Sequence, residues 1–99
     1  MLDFYLIKDD QPNPNDPEQV GLMYAGSLDN KTFNNLQNKG VFDERLDYYS
    51  DFRLGTAMIK QIRQSILHRK MEMDSDVIKL LDIFNHADSA ESGLIAFGD

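Results

Sequence analysis

Apolar residues recur along this chain in short runs that alternate between the two-residue period of a strand and the three-to-four-residue period of a helix. Residues 2–7, Leu-Asp-Phe-Tyr-Leu-Ile, are aromatic and aliphatic and predict a strand. Leu2, Phe4 and Leu6 fall on one side, Tyr5 and Ile7 on the other, so both faces are largely apolar and the strand is expected inside its sheet. The segment Lys8–Gln19 contains Pro12, Pro14 and Pro17, which fix φ and remove amide donors, and it reads as an exposed loop. Residues 20–25, Val-Gly-Leu-Met-Tyr-Ala, predict a second strand able to pair antiparallel with the first.

A helix follows over about 30–38, with Ser27 or Asp29 as its cap, Phe33 and Leu36 facing inward and Lys39-Gly40 as its stop. Its asparagines at 30, 34, 35 and 38 are poor helix formers, so packing has to hold it. Residues 41–51, Val-Phe-Asp-Glu-Arg-Leu-Asp-Tyr-Tyr-Ser-Asp, read as a connector with room for one helical turn, because Phe42, Leu46 and Tyr49 are helically spaced. From Phe52 or Leu54 to Arg69 the pattern is clearest: Leu54, Met58, Ile62 and Ile66 recur every four residues, widened by Ala57 and Ile59, with Gly55 in the first turn. Asp74 or Ser75 then caps a helix of about 76–88, with Val77, Leu80, Leu81, Phe84 and Ala87 on its apolar side. Gly93–Phe97 predicts a last strand, inserted against one of the first two.

The sum is an α+β fold: a small, mostly antiparallel three-stranded sheet with three helices packed on one face, in the order β-β-α-α-α-β, forming a single domain over residues 1–99. At 41% hydrophobic and 27% charged residues the chain is ordinary for a globular protein and too apolar for wholesale disorder. It has no cysteine, which removes disulfides, thiolate metal sites and cysteine nucleophiles. No run approaches the ~20 apolar residues of a membrane span, and the first residues do not form a secretory signal, so a cytoplasmic location and no membrane partner are expected.

Charge changes the picture more than composition does. Residues 52–70 carry Arg53, Lys60, Arg63, Arg69 and Lys70 and no acid, a charge of +5, while the segments on either side carry −6 each, giving −7 in all. Such a surface repels a phosphate backbone, and the basic stretch lacks aromatic residues for stacking between Arg53 and Lys70, so nucleic acid is an unlikely partner.

Two acidic clusters are candidates for chemistry. Asp9, Asp10 and Asp16 are hard oxygen donors in the proline-flanked loop, of the kind calcium prefers, but the EF-hand order with its central glycine is absent. Asp43, Glu44, Asp47 and Asp51 surround Tyr48 and Tyr49; tyrosines ringed by carboxylates suit protein recognition better than an acid/base dyad. His68 and His86 lie on different helices without metal-ligand spacing, none of the six serines sits in a nucleophile elbow, and no phosphate loop is present. No catalytic residue and no cofactor is expected.

Asp47–Leu54 (Asp-Tyr-Tyr-Ser-Asp-Phe-Arg-Leu) and Gly93–Asp99 (Gly-Leu-Ile-Ala-Phe-Gly-Asp) resemble segments of a group of small bacterial proteins that pair an early aromatic strand with such a connector, two helices and a terminal strand. More loosely, the chain is similar to the small acidic immunity proteins that accompany bacterial toxins. That resemblance implies a non-enzymatic inhibitor of the immunity or antitoxin kind, whose partner is a protein with a cationic surface such as a toxin. A small-molecule or metal-binding domain, or a weak enzyme using the Asp43 to Asp51 carboxylates, is the alternative, and a homodimer formed through an apolar sheet face is a further kind of association.

Overall fold

The computed structural model describes residues 1–14 and 21–98. Its elements are β1 (Leu2–Ile7), β2 (Tyr24–Leu28), α1 (Asn30–Asn38), β3 (Phe52–Leu54), α2 (Thr56–His68), α3 (Ser75–Ser89) and β4 (Gly93–Phe97). The α+β class holds, but the sheet has four strands in the order β2-β1-β4-β3, all pairs antiparallel, instead of three. β1 and β4 are the inner strands.

The additional strand comes from the start of the basic segment. Leu54 is spaced as though it began the apolar stripe of a helix, yet Gly55 has extended backbone (φ −70°, ψ 169°) and is the cap, so Phe52–Leu54 is free to pair with β4. Starting α2 at Thr56 leaves Ile59, Ile62 and Ile66 as its buried line and Met58 47% exposed. The second strand also sits later than the apolar run suggested, at Tyr24–Leu28; Val20 lies outside the described residues.

All three helices cover one face. Leu2, Phe4, Leu54, Leu94 and Ala96 from the sheet share one core with Phe33 and Leu36 of α1, Ile59, Ile62 and Ile66 of α2, and Val77, Leu80, Ile83 and Phe84 of α3. Gly26 makes room for α3: a Cβ there would lie 2.8 Å from Ile83, and its φ of +144° suits glycine. On the opposite face Ile7 and Ile95 are also nearly inaccessible, and Ile95 lies beside Asn13 and Pro14 of the loop after β1.

Caps set the helix ends. Asp29 accepts from the Thr32 amide and Asp74 from the amides of Asp76 and Val77, resolving both open choices toward aspartate. Gly40, at φ +74°, ends α1 in a left-handed turn with the Val41 amide donating to the Leu36 carbonyl. No helix among the described residues is long and apolar enough to cross a membrane.

Candidate functional site

The loop after β1 is a fastening. Its Asp9 carboxylate accepts the Thr56 amide at 3.0 Å and the Thr56 hydroxyl, capping α2, whose own cap residue is a glycine with no side chain to offer. Lys8 Nζ donates to the Ala90 carbonyl at 2.6 Å and so meets the opposite end of α3. A negative group at a helix start and a positive one at a helix end both match the helix dipoles. Arg53, on β3 and not on a helix as its place in the basic segment implied, donates to the carbonyls of Lys8 and Gln11 and to the Asn13 side chain. The Thr56 hydrogen bonds, aided by Arg53, hold the Asp9 carboxyl below the usual carboxylate range.

Of the candidate metal ligands in this loop, Asp10 is exposed. Asp9 is turned to Thr56, Asp16 lies outside the described residues, and no group of three His, Asp or Glu side chains that could hold a metal forms among the described residues.

The connector of residues 41–51 is irregular, a chain of tight turns without the expected helical turn. From these turns Phe42 and Tyr48 both reach the core. Phe33 of α1 meets Phe42 at 5.3 Å, Tyr48 at 5.7 Å and Phe52 at 6.2 Å between ring centroids. Gln37 of α1 binds the connector from above, donating to the carbonyls of Asp43 and Leu46 at 3.1 and 2.6 Å. Gly98 pins its far end, its amide donating to Asp51 at 3.1 Å.

Of the two tyrosines, then, Tyr48 is 8% exposed and belongs to the core, whereas Tyr49 is 61% exposed and is the aromatic residue presented to solvent. Tyr49 is nonetheless well positioned. Its ring stands edge-on to Tyr48 at 5.1 Å, and its hydroxyl accepts from the Asn30 side chain at 3.1 Å.

The four acids beside it differ in role. Asp47 accepts from the Tyr49 amide and the Ser50 hydroxyl and shapes the turn that presents Tyr49. Asp43 is held by the guanidinium and amide of Arg45, which lower its pKa to about 2. Glu44 is exposed and makes no hydrogen bond or ion pair among the described residues. A groove of about 640 Å³ runs between this connector and α2; its floor of Val41, Phe42, Leu54 and Ile62 is closed, each under one-tenth exposed.

Asn30 and Gln37, which position the connector, were not among the candidates drawn from the sequence; Asn30 registered there only as a poor helix former. Compared with known protein families, curated proteins and solved structures, the chain matches none.

Proposed function

We propose that this protein is a non-enzymatic interaction module that binds a protein with a cationic surface, in the manner of an immunity or antitoxin inhibitor, through the Asp43–Asp51 connector. One observation supports this most: Tyr49 is 61% exposed yet fixed by Tyr48, Asn30 and the Asp47 turn, amid carboxylates. An aromatic anchor already held in place loses little conformational freedom on binding, and Tyr is enriched among residues that dominate interface energies. Glu44, Asp47 and the −7 net charge steer a basic surface toward it. Tyr48 acts from beneath, as the support of Tyr49.

A photo-crosslinking residue in place of Tyr49, introduced into cells of the source organism, is expected to trap a basic protein, with the same residue at Lys60 trapping it far less. Equal trapping at both positions, or none at position 49, contradicts the reading.

A second reading, small-molecule binding, rests on the groove beside the connector, whose volume lies in the range of ligand sites. It ranks second because Asp47 and Asp51 are turned to the Tyr49 and Gly98 amides.

A further inference from the structure

The side of α1 that adjoins the connector is built of amides. Asn30, Asn34 and Gln37, spaced by four and then three residues, lie on one stripe of the helix. Both ends of that stripe are attached to the connector: the Asn30 side chain donates to the Tyr49 hydroxyl at 3.1 Å, and Gln37 donates to the carbonyls of Asp43 and Leu46. Asn34 stands between them, exposed, and its side chain donates to Asn30 Oδ1 at 2.8 Å. Asn34, Asn30 and Tyr49 are thus joined in one hydrogen-bonded relay.

The direction of the relay decides what Tyr49 offers. Its hydroxyl accepts from Asn30 and donates to no acceptor among the described residues, so the O–H remains available as a donor beside an exposed ring. Asn34 likewise keeps its second N–H and its carbonyl oxygen for use outside the chain. Helix stability does not account for Asn34. In mid-helix an alanine is the better helix former, and the bond to Asn30 is open to solvent. A residue that weakens its own element while adding nothing to the core marks a surface kept for another use. Tyrosine with asparagine is also a composition suited to recognition: the ring supplies rigid contact area, the amides adaptable hydrogen bonds.

We infer, resting on the function proposed above, that the amide stripe of α1 belongs to the partner-binding surface, where Asn34 and the Tyr49 hydroxyl donate hydrogen bonds to backbone carbonyls of the cationic protein. Lys and Arg side chains are donors only, so a basic surface meets these groups through its backbone. The two parts of the surface then differ in kind. Glu44 and Asp47 attract a basic protein over distance and weaken in salt, whereas bonds between uncharged groups act at contact and are little screened. Any basic protein answers to the carboxylates; the stripe selects the one that is held.

A photo-crosslinking residue at position 34 is expected to trap the same protein as one at position 49. Trapping at 49 without trapping at 34 overturns this inference and leaves the proposed function standing, while no trapping at 49 removes both. The trapped protein is then titrated into the wild type and into Asn34→Ala, Tyr49→Phe and Tyr49→Ala/Glu44→Gln variants at two salt concentrations. Asn34→Ala and Tyr49→Phe are each expected to weaken binding about threefold or more, by the same factor at both salts. Asn34→Ala is expected to do so with a melting temperature equal to or above that of the wild type, the reverse of what a structural role would give. Unchanged affinity in either single variant, or a loss in Asn34→Ala that comes with a lower melting temperature, overturns the inference. Unchanged affinity in the double variant contradicts the proposed function itself.

Discussion

Asp9 caps α2 from 47 residues earlier in the chain, and its importance lies in that distance. Replacing it with alanine leaves the first amides of α2 without a side-chain acceptor and is expected to lower the melting temperature by several degrees. Thermal unfolding followed by circular dichroism checks this, and an unchanged midpoint speaks against the cap. The adjacent tyrosines offer a sharper contrast. Tyr48→Ala empties a space against Phe33 and is expected to cost about 3–5 kcal/mol in urea unfolding, whereas Tyr49→Ala, at an exposed site, should change stability by less than about 0.5 kcal/mol. Glu91, at φ +52°, occupies the left-handed turn after α3, and Glu91→Gly is expected to stabilise by about 0.5–1 kcal/mol. Residue roles of this kind were only partly legible in the sequence. Asp29 and Asp74 stood directly before their helices and could be read as caps, but the role of Asp9 depends on which loop the fold brings to Thr56. Which tyrosine turns inward was equally hidden, because the helical spacing of Phe42, Leu46 and Tyr49 grouped Tyr49 with the apolar positions, whereas the turns of the connector bury Tyr48 instead.

At the level of elements, β3 is where local pattern and fold diverged. Leu54, Met58, Ile62 and Ile66 make an unbroken four-residue repeat, and the glycine at 55 looked tolerable in a first helical turn. Pairing with β4 outweighed that repeat, since Phe52 places its ring against Phe4 and Phe33 only as part of the sheet. Of the other elements, β1, α1 and β4 lie where their apolar runs placed them, α3 differs by one residue at each end, and β2 starts four residues later than its apolar run. Close contact between β3 and β4 depends on Gly93, where a Cβ would lie 2.6 Å from the Leu54 carbonyl oxygen. Gly93→Ala is expected to push β3 from the sheet and destabilise by about 1–3 kcal/mol. Amide exchange should then rise first in residues 52–54, and exchange that rises evenly over the sheet contradicts this account.

Across the whole molecule, the basic segment is largely engaged in holding the fold. Arg53 gathers the loop after β1, Arg63 binds Asn85 and Asp88 and lies over the Phe84 ring, and Arg69 donates to the carbonyl of Lys39, the C-cap of α1. Lys39 in turn pairs with Asp74 and Asp76. The sequence showed the charge blocks but not these assignments, which require the helices to be placed against one another. Asp9, Asp29, Asp43 and Asp74 all have lowered pKa values from hydrogen bonds or ion pairs made only in the folded state, Asp43 to about 2. Stability from such groups is full above the unfolded carboxylate value near ~4 and is lost as pH falls through the folded values. Urea midpoints should therefore hold from neutral pH down to about 5 and fall steadily below about 4. A midpoint unchanged at about pH 3 contradicts these pairings. The acids that remain exposed, with Tyr49 among them, form the surface we assign to a cationic protein. The most direct measurement is isothermal titration of the protein crosslinked through position 49 into the wild type and a Tyr49→Ala/Glu44→Gln variant, at two salt concentrations. The account predicts binding that weakens with salt and is at least about tenfold weaker in a variant of unchanged stability; equal affinity for both proteins would contradict it.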